Sequence, residues 1–273
     1  MKNIKVILAA VAMYGAVNFA SANDPNPRPT LHVNPRWEEC SFQLDPSLTQ
    51  EVWHQFAHEA GLVIHFRAVT DAKPMGAGRI EFSILQWNTG IDESDDTWNN
   101  TFVHPNSEHW LIGGDALPFP GLMLRAGISR KVDVAAYWMK SFGANYGVAG
   151  AQVQYNLIND TVRNWAVSTR ASINSLYGPA DLNLYSCGAE VLASKTFKVI
   201  PEWASVSPYA GISTYASHAH EKTEAVNLQD EYVSGMQYIA GAVAQVKMVR
   251  LGVEYNLSEV NTLSYKIGVN FQF

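Results

Sequence analysis

Ionic residues are scarce in this chain. Asp, Glu, Lys and Arg make up 16% of its 273 residues, against roughly 25% in an ordinary soluble domain. Hydrophobic residues reach 47%, so much of the surface must go without charge. Long apolar runs are missing too. Beyond the first 22 residues no segment approaches the ~18 consecutive apolar positions of a membrane-spanning helix. Cysteine is limited to Cys40 and Cys187. Export to an oxidising compartment would let them pair, but the strand pattern below turns Cys187 outward and argues against a bridge. There is no phosphate-cradling Gly-rich loop with Lys, no dinucleotide fingerprint, no paired-Cys motif and no Gly-x-Ser-x-Gly elbow. Common nucleotide-dependent and hydrolytic chemistries thus lose their usual signatures, and no cofactor is implied.

The N-terminus is separable from the rest. Met1-Lys2-Asn3-Ile4-Lys5 is a positive start, Val6 to Phe19 is apolar except for Asn18, and Ala20-Ser21-Ala22 supplies small residues for cleavage. This predicts a secretory signal over 1–22, cut after Ala22. Without Lys2 and Lys5 the mature chain has 17 basic and 25 acidic residues, a net charge of −8. Such an acidic balance speaks against a nucleic-acid partner, which would need clustered Lys and Arg.

What the chain has in abundance is alternation. From Leu263 the odd positions read Leu263, Tyr265, Ile267, Val269, Phe271 and Phe273, while Thr262, Ser264, Lys266, Gly268, Asn270 and Gln272 fill the even ones. A period of two sends these sets to opposite faces of a strand. Val249, Leu251, Val253 and Tyr255 likewise alternate with Arg250, Gly252 and Glu254, and Val167, Thr169 and Ala171 with Ser168, Arg170 and Ser172. With helical spans excluded, only a closed barrel could cross a bilayer, because every backbone polar group in lipid must be paired. The expected fold is all-β, an antiparallel transmembrane β-barrel. Ten strands are predicted, at about 78–87, 118–128, 131–140, 146–157, 163–174, 183–195, 205–216, 232–247, 248–257 and 262–273. Strands at 62–69 and 197–203 would raise the count to twelve. Long polar connections at 88–117 and 217–231 contrast with tight turns at Ser129-Arg130 and Lys247, the loop asymmetry of outer-membrane barrels. Trp87, Trp110, Trp138, Tyr146, Trp165, Tyr177, Trp203, Tyr209, Tyr232 and Tyr255 lie near strand ends and suggest aromatic girdles.

The terminal Tyr265-Lys266-Ile267-Gly268-Val269-Asn270-Phe271-Gln272-Phe273 resembles the β-signal of bacterial outer-membrane proteins, an alternating last strand ending in an aromatic residue. The resemblance implies recognition of Tyr265, Ile267, Val269, Phe271 and Phe273 by the barrel-assembly machinery, and residence in the outer membrane among its lipid and lipopolysaccharide. It covers one strand closely and the remaining barrel by pattern alone. The chain as a whole resembles outer-membrane barrels to which no substrate is attached by family.

Residues 23–77 precede the barrel, which is expected over 78–273. Residues 23–46, Pro- and Asn-rich from Asn23 to Pro29, read as an extended periplasmic lead. A helix should follow, capped by Asp45 with Pro46 in its first turn and closed by Gly61. Leu48, Val52, Phe56 and Ala60 give it one apolar side, and His54 and His58 lie on the neighbouring face. Packing at the periplasmic mouth and entry into the lumen as a plug are both compatible with this pattern.

Chemistry is sparse. His54 and His58 lack a third ligand, and the histidines and carboxylates of 88–117 and 217–231 read as solvated acidic loops rather than a metal site. Arg170, Glu190, Arg250, Glu254 and Lys266 are the lumen-facing candidates, with Arg250 and Glu254 four apart on one strand. About ten strands leave an interior that side chains nearly fill, whereas open channels belong to barrels of about 16 or more. The expected role is a narrow or gated path for small solutes. The alternative is a structural or surface-interaction barrel; a third reading, an envelope-lipid enzyme, has no motif behind it.

Overall fold

Ten strands wind consecutively around a ring in a computed structural model that describes residues 33–34, 39–40, 43–92, 95–99, 101–102, 116–141, 146–223 and 226–273. They are β1 (Arg79–Gly90), β2 (Ala116–Gly127), β3 (Val132–Lys140), β4 (Gly147–Asp160), β5 (Trp165–Tyr177), β6 (Leu182–Lys195), β7 (Ala204–Glu221), β8 (Glu231–Val246), β9 (Val249–Leu257) and β10 (Thr262–Gln272). Each pairs antiparallel with the next, and β10 pairs with β1 through Thr262↔Thr89 to Gln272↔Arg79, so the sheet has no free edge. The expected signal over 1–22 and residues 23–32 of the expected lead lie outside the described residues.

The twelve-strand alternative fails at both extra segments. Phe197–Ile200 is strand, but it pairs only with the start of β7 and adds nothing to the ring. Residues 62–69 end a helix and then run inside the barrel, where a central chain has no neighbour with which to form a ladder. The helix, α1 (Gln50–Val63), also starts later than expected. Thr49 is its N-cap and accepts from the Val52 amide, while Asp45 instead accepts from the amide and hydroxyl of Ser47 in the preceding turn. Gly61 does not end the helix. It sits against Ser217 of β7, where a Cβ would collide with the serine hydroxyl, so a small residue is needed for close approach.

Polarity runs inside out. Phe82, Ile84, Leu124, Ile173, Leu251 and Ile267 are exposed on the outer face, while Glu81, Ser83, Arg125, Arg170, Arg250 and Lys266 are buried within. The lumen itself is divided. Near one end Leu85, Trp87, Leu117, Phe119, Met123 and Met139 join the apolar side of α1 in a single hydrophobic cluster. Nearer the other end the lining is polar and charged.

Candidate functional site: the threaded lumen and its cap

The site follows from where α1 lies. Its neighbours are the connections after β1, β5, β7 and β9: Asp45 donates to the Thr101 carbonyl (3.0 Å), Leu44 to Asp181 (3.2 Å), and His58 faces Glu259 at 3.0 Å. All of these belong to one end of the barrel, the end that carries the long 91–115 and 222–230 connections. From there residues 64–78 pass down the lumen. His65 Nε2 lies 2.9 Å from Ser213 Oγ. The Ala72 amide donates to Ser194 Oγ (3.2 Å), and its carbonyl accepts from Gln154 and Asn156. Lower still, the Met75 amide donates to Asp133 (3.0 Å), and the Gly78 amide reaches Gly127 O at the tight-turn end (3.2 Å).

A buried segment without a ladder must find partners for its backbone elsewhere. Here strand side chains supply them. Arg170 Nη2 donates to the carbonyls of Thr70 (2.6 Å) and Asp71 (3.0 Å), and Trp87 Nε1 donates to Arg67 O (3.2 Å). Arg67 folds back on α1, donating to Leu62 O (2.8 Å) and Val63 O (3.2 Å), where a cation suits the negative end of the helix. Val69 adopts φ 50°, a left-handed conformation that disfavours β-branched residues. It is wholly buried against Gly252, so packing holds it there.

Three charge clusters surround the thread. Arg170 pairs with Glu190 (3.3 Å). Arg125 pairs with Asp133 (2.6 Å). Glu81 receives both Lys266 (2.6 Å) and Arg250 (3.3 Å), and Arg250 also pairs with Asp71 of the thread (3.3 Å). All five lumen-facing candidates are therefore buried inside, but Arg250 and Glu254 do not partner one another. The Tyr209 hydroxyl donates to Glu254 (2.8 Å), and Arg250 turns to the carboxylates of β1 and the thread. Glu81, Arg125 and Asp133 were missed, although alternation marks them: Glu81 stands between Ile80 and Phe82. Asp71 carries no such mark, and Arg67, between Phe66 and Ala68, belongs to an alternating stretch that reads as a strand but forms none.

The aromatic belt needs correction as well. Trp138, Trp203, Tyr232 and Tyr255 are exposed on the outside, but Trp87, Tyr146 and Tyr209 are buried. Trp87 shares parity with Glu81 and Leu85, and Tyr209 with Ser213, so the strand period rather than ring chemistry decides their direction. Trp110 lies outside the described residues. On β10, Tyr265, Ile267 and Phe271 are exposed outward and Val269 is half-exposed on the same face; Phe273 follows the strand end at 86% exposure, its amide donating to Gly78 O (2.9 Å). Cys187 is an exposed free thiol.

At the loop end, Phe56 meets Trp98 and Phe102 edge-on at 5.2 and 5.1 Å. Beneath them is an apolar cavity of about 40 Å³, lined by Phe56, Val63, Leu117, Phe119 and Leu184 among others. Burial pushes the Glu59 carboxyl of α1 up, although Trp98 Nε1 donates to it. His54 and His58 take separate carboxylates, Glu231 and Glu259. His218 and His220 belong to the end of β7 rather than to a loop, and both engage Asp230, at 2.9 and 2.6 Å. Among the described residues no group of three or more side chains is arranged to hold a metal ion. Glu93, His104, Glu108, His109 and Glu224 lie outside them.

A closed antiparallel ring with an apolar exterior and a polar interior defines the class: an outer-membrane-type β-barrel. No family model and no curated relative matches the chain. Among solved structures it is similar to the N-terminal β-barrel domain of Pseudomonas aeruginosa OprF, at 10% identity over 72% of this chain and 100% of that one, with a TM-score of 0.28. It is also similar to Neisserial surface protein A (13% identity, 72% and 99% covered, TM-score 0.29). A third similarity is to the translocator domain of the autotransporter NalP from Neisseria meningitidis (12% identity, 83% and 100% covered, TM-score 0.39). At these identities and scores the likenesses carry no argument about function.

Proposed function

We propose that the protein is a structural, surface-facing barrel of the outer membrane whose lumen is closed at rest by its own residues 64–78. The observation that carries this reading is the bonding of the thread to the wall. Withdrawing it would strip Arg250 of Asp71, Asp133 of the Met75 amide, and Arg170 of the Thr70 and Asp71 carbonyls. Breaking one buried ion pair costs about 3–5 kcal/mol, which alone would hold an open state below roughly 1%. The loop-side cavity, about 40 Å³, has room for a few waters and not for a solute. In the membrane the outer face would meet lipid, the loops would meet lipopolysaccharide, and the last strand would engage the barrel-assembly machinery.

A gated path for small solutes is the second reading. It is favoured by wall groups such as Ser168, Ser172, Ser186, Gln152 and Gln237, which have buried polar atoms without protein partners and could line a file of water. Planar-bilayer recording of the refolded protein separates the two. Silence over repeated insertions is expected; discrete, ion-selective steps from the unaltered protein would overturn the closed-barrel reading in favour of the path.

A further inference from the structure

We propose that the barrel carries its own N-terminal segment across the outer membrane and holds it on display at the cell surface. The inference rests on the outer-membrane reading above and goes beyond it, because it concerns the direction of the thread rather than the state of the lumen.

The direction is fixed by contacts at both ends. Gln229 accepts from Gln50 Nε2 (3.2 Å) and from Trp53 Nε1 (3.2 Å), so α1 is held by the connection between β7 and β8. At the opposite end, Gly76 lies against Gly127, and Gly78 bonds to it just before the turn at 128–131. Residues 43–63 therefore lie at the loop end, and β1 begins at the turn end.

Which end faces out follows from the connections. One end carries the connections 128–131, 161–164, 196–203 and 247–248, none longer than eight residues, while the other carries 141–146, 178–181 and 258–261 together with the two longest, 91–115 and 222–230. Short turns face the periplasm and long loops face outside. A secreted chain starts wholly on the periplasmic side, so every residue from 43 to 63 has crossed.

Retention is built in. The thread is bonded to the wall along its length and α1 is held at its outer end, so the segment cannot slide back without breaking those bonds and unfolding α1. α1 is about 10–12 Å wide with its side chains, and the filled lumen does not pass it folded. The segment crosses extended, or is enclosed when β10 closes on β1, and α1 then folds on the outside as a cap. Glu51, His54 and Gln55 of α1 and Asn227 and Asp230 of the connection that holds it are all exposed.

Single cysteines test the direction. Glu51→Cys in α1, Asn227→Cys in the loop and Val162→Cys in a turn are each made in a full-length Cys40→Ala/Cys187→Ala background. Intact cells are treated with a membrane-impermeant maleimide, and the same cells are treated after lysis. The proposal expects Glu51→Cys and Asn227→Cys to label fully before lysis and Val162→Cys only after it. Labelling at Asn227→Cys with protection at Glu51→Cys overturns the display of the segment while leaving the barrel in place. Labelling at Val162→Cys with protection at the other two overturns the orientation. Protection of all three until lysis overturns the outer-membrane reading and this proposal with it.

Discussion

Lys266 on β10 donates to Glu81 on β1 at 2.6 Å, and these two residues stand on the pair of strands whose hydrogen bonding closes the ring. Arg250 of the neighbouring strand β9 reaches the same carboxylate. One buried anion thus serves two cations at the seam. Glu81→Gln removes the charge and keeps the shape, leaving both cations short of a partner in a dry site. Loss of a buried partner costs about 3–5 kcal/mol. Urea unfolding of the refolded barrel in detergent should show a lower midpoint with an unchanged slope. Lys266→Met/Glu81→Gln should recover part of the loss, since removing both charges is far cheaper than removing one.

The thread makes a second prediction. Arg170 places three hydrogen bonds on Thr70 and Asp71. Arg170→Met alone would leave Glu190 buried without its partner and could fail to fold. Arg170→Met/Glu190→Met removes the pair together and still frees the thread at mid-lumen. Bilayer recordings should then show brief conducting events that the unaltered protein lacks. A folded but silent double variant would mean that Arg250 and Asp133 hold the thread without Arg170.

These two predictions mark what the sequence could and could not disclose. The strands were legible because a period of two in the barrel wall repeats many times, and Ile267, Leu251 and Ile173 each report the same outward direction. The charged wall was legible for the same reason, including Glu81, which parity marks. The partners were not. Arg250 and Glu254 share a face and a strand, yet each finds a closer group across the lumen, and sequence spacing says nothing of that. The thread was not legible as a thread: Ile64, Phe66 and Ala68 alternate with His65 and Arg67 as a strand would, residues 70–78 follow no period, and the bonds come from residues as distant in sequence as Ser213 and Arg250. The apolar upper lumen was also hidden, since Leu85, Trp87 and Phe119 read as breaks in the polar face until α1 is seen to cover them.

pH should act on the cap with two opposite signs. Burial raises the Glu59 carboxyl, so its contribution to stability is present at low pH and is lost as pH rises through its folded-state value. Hydrogen bonds from His220 and then His218 lower Asp230, so its contribution is present above the ordinary carboxylate range and is lost as pH falls through its depressed value. Hydrogen exchange over α1 should therefore quicken as pH rises from the carboxylate range toward neutral, beyond the intrinsic rate. Glu59→Gln should flatten that rise. Exchange over 226–230 should instead quicken toward strong acid, and Asp230→Asn should abolish the change. Identical profiles for both regions would contradict the assignment.

The end of the chain allows assembly to be separated from stability. Phe273 is 86% exposed, and its bond to Gly78 O is made by the backbone amide rather than the ring. Removing its ring takes almost nothing from the folded barrel, where surface changes usually stay within about 0.5 kcal/mol. The β-signal resemblance gives the same ring a different role, as a feature read while the strand is still unpaired. Phe273→Ala should therefore leave the unfolding midpoint of protein refolded in detergent unchanged, and lower the amount that reaches the outer membrane in cells. Tyr255→Ala serves as the comparison, because it removes an outward ring from the neighbouring strand β9, outside the signal. If Phe273→Ala inserts at the normal level, the terminal aromatic is not what the assembly machinery reads. If it unfolds early in detergent, the ring has a packing role that its exposure denies.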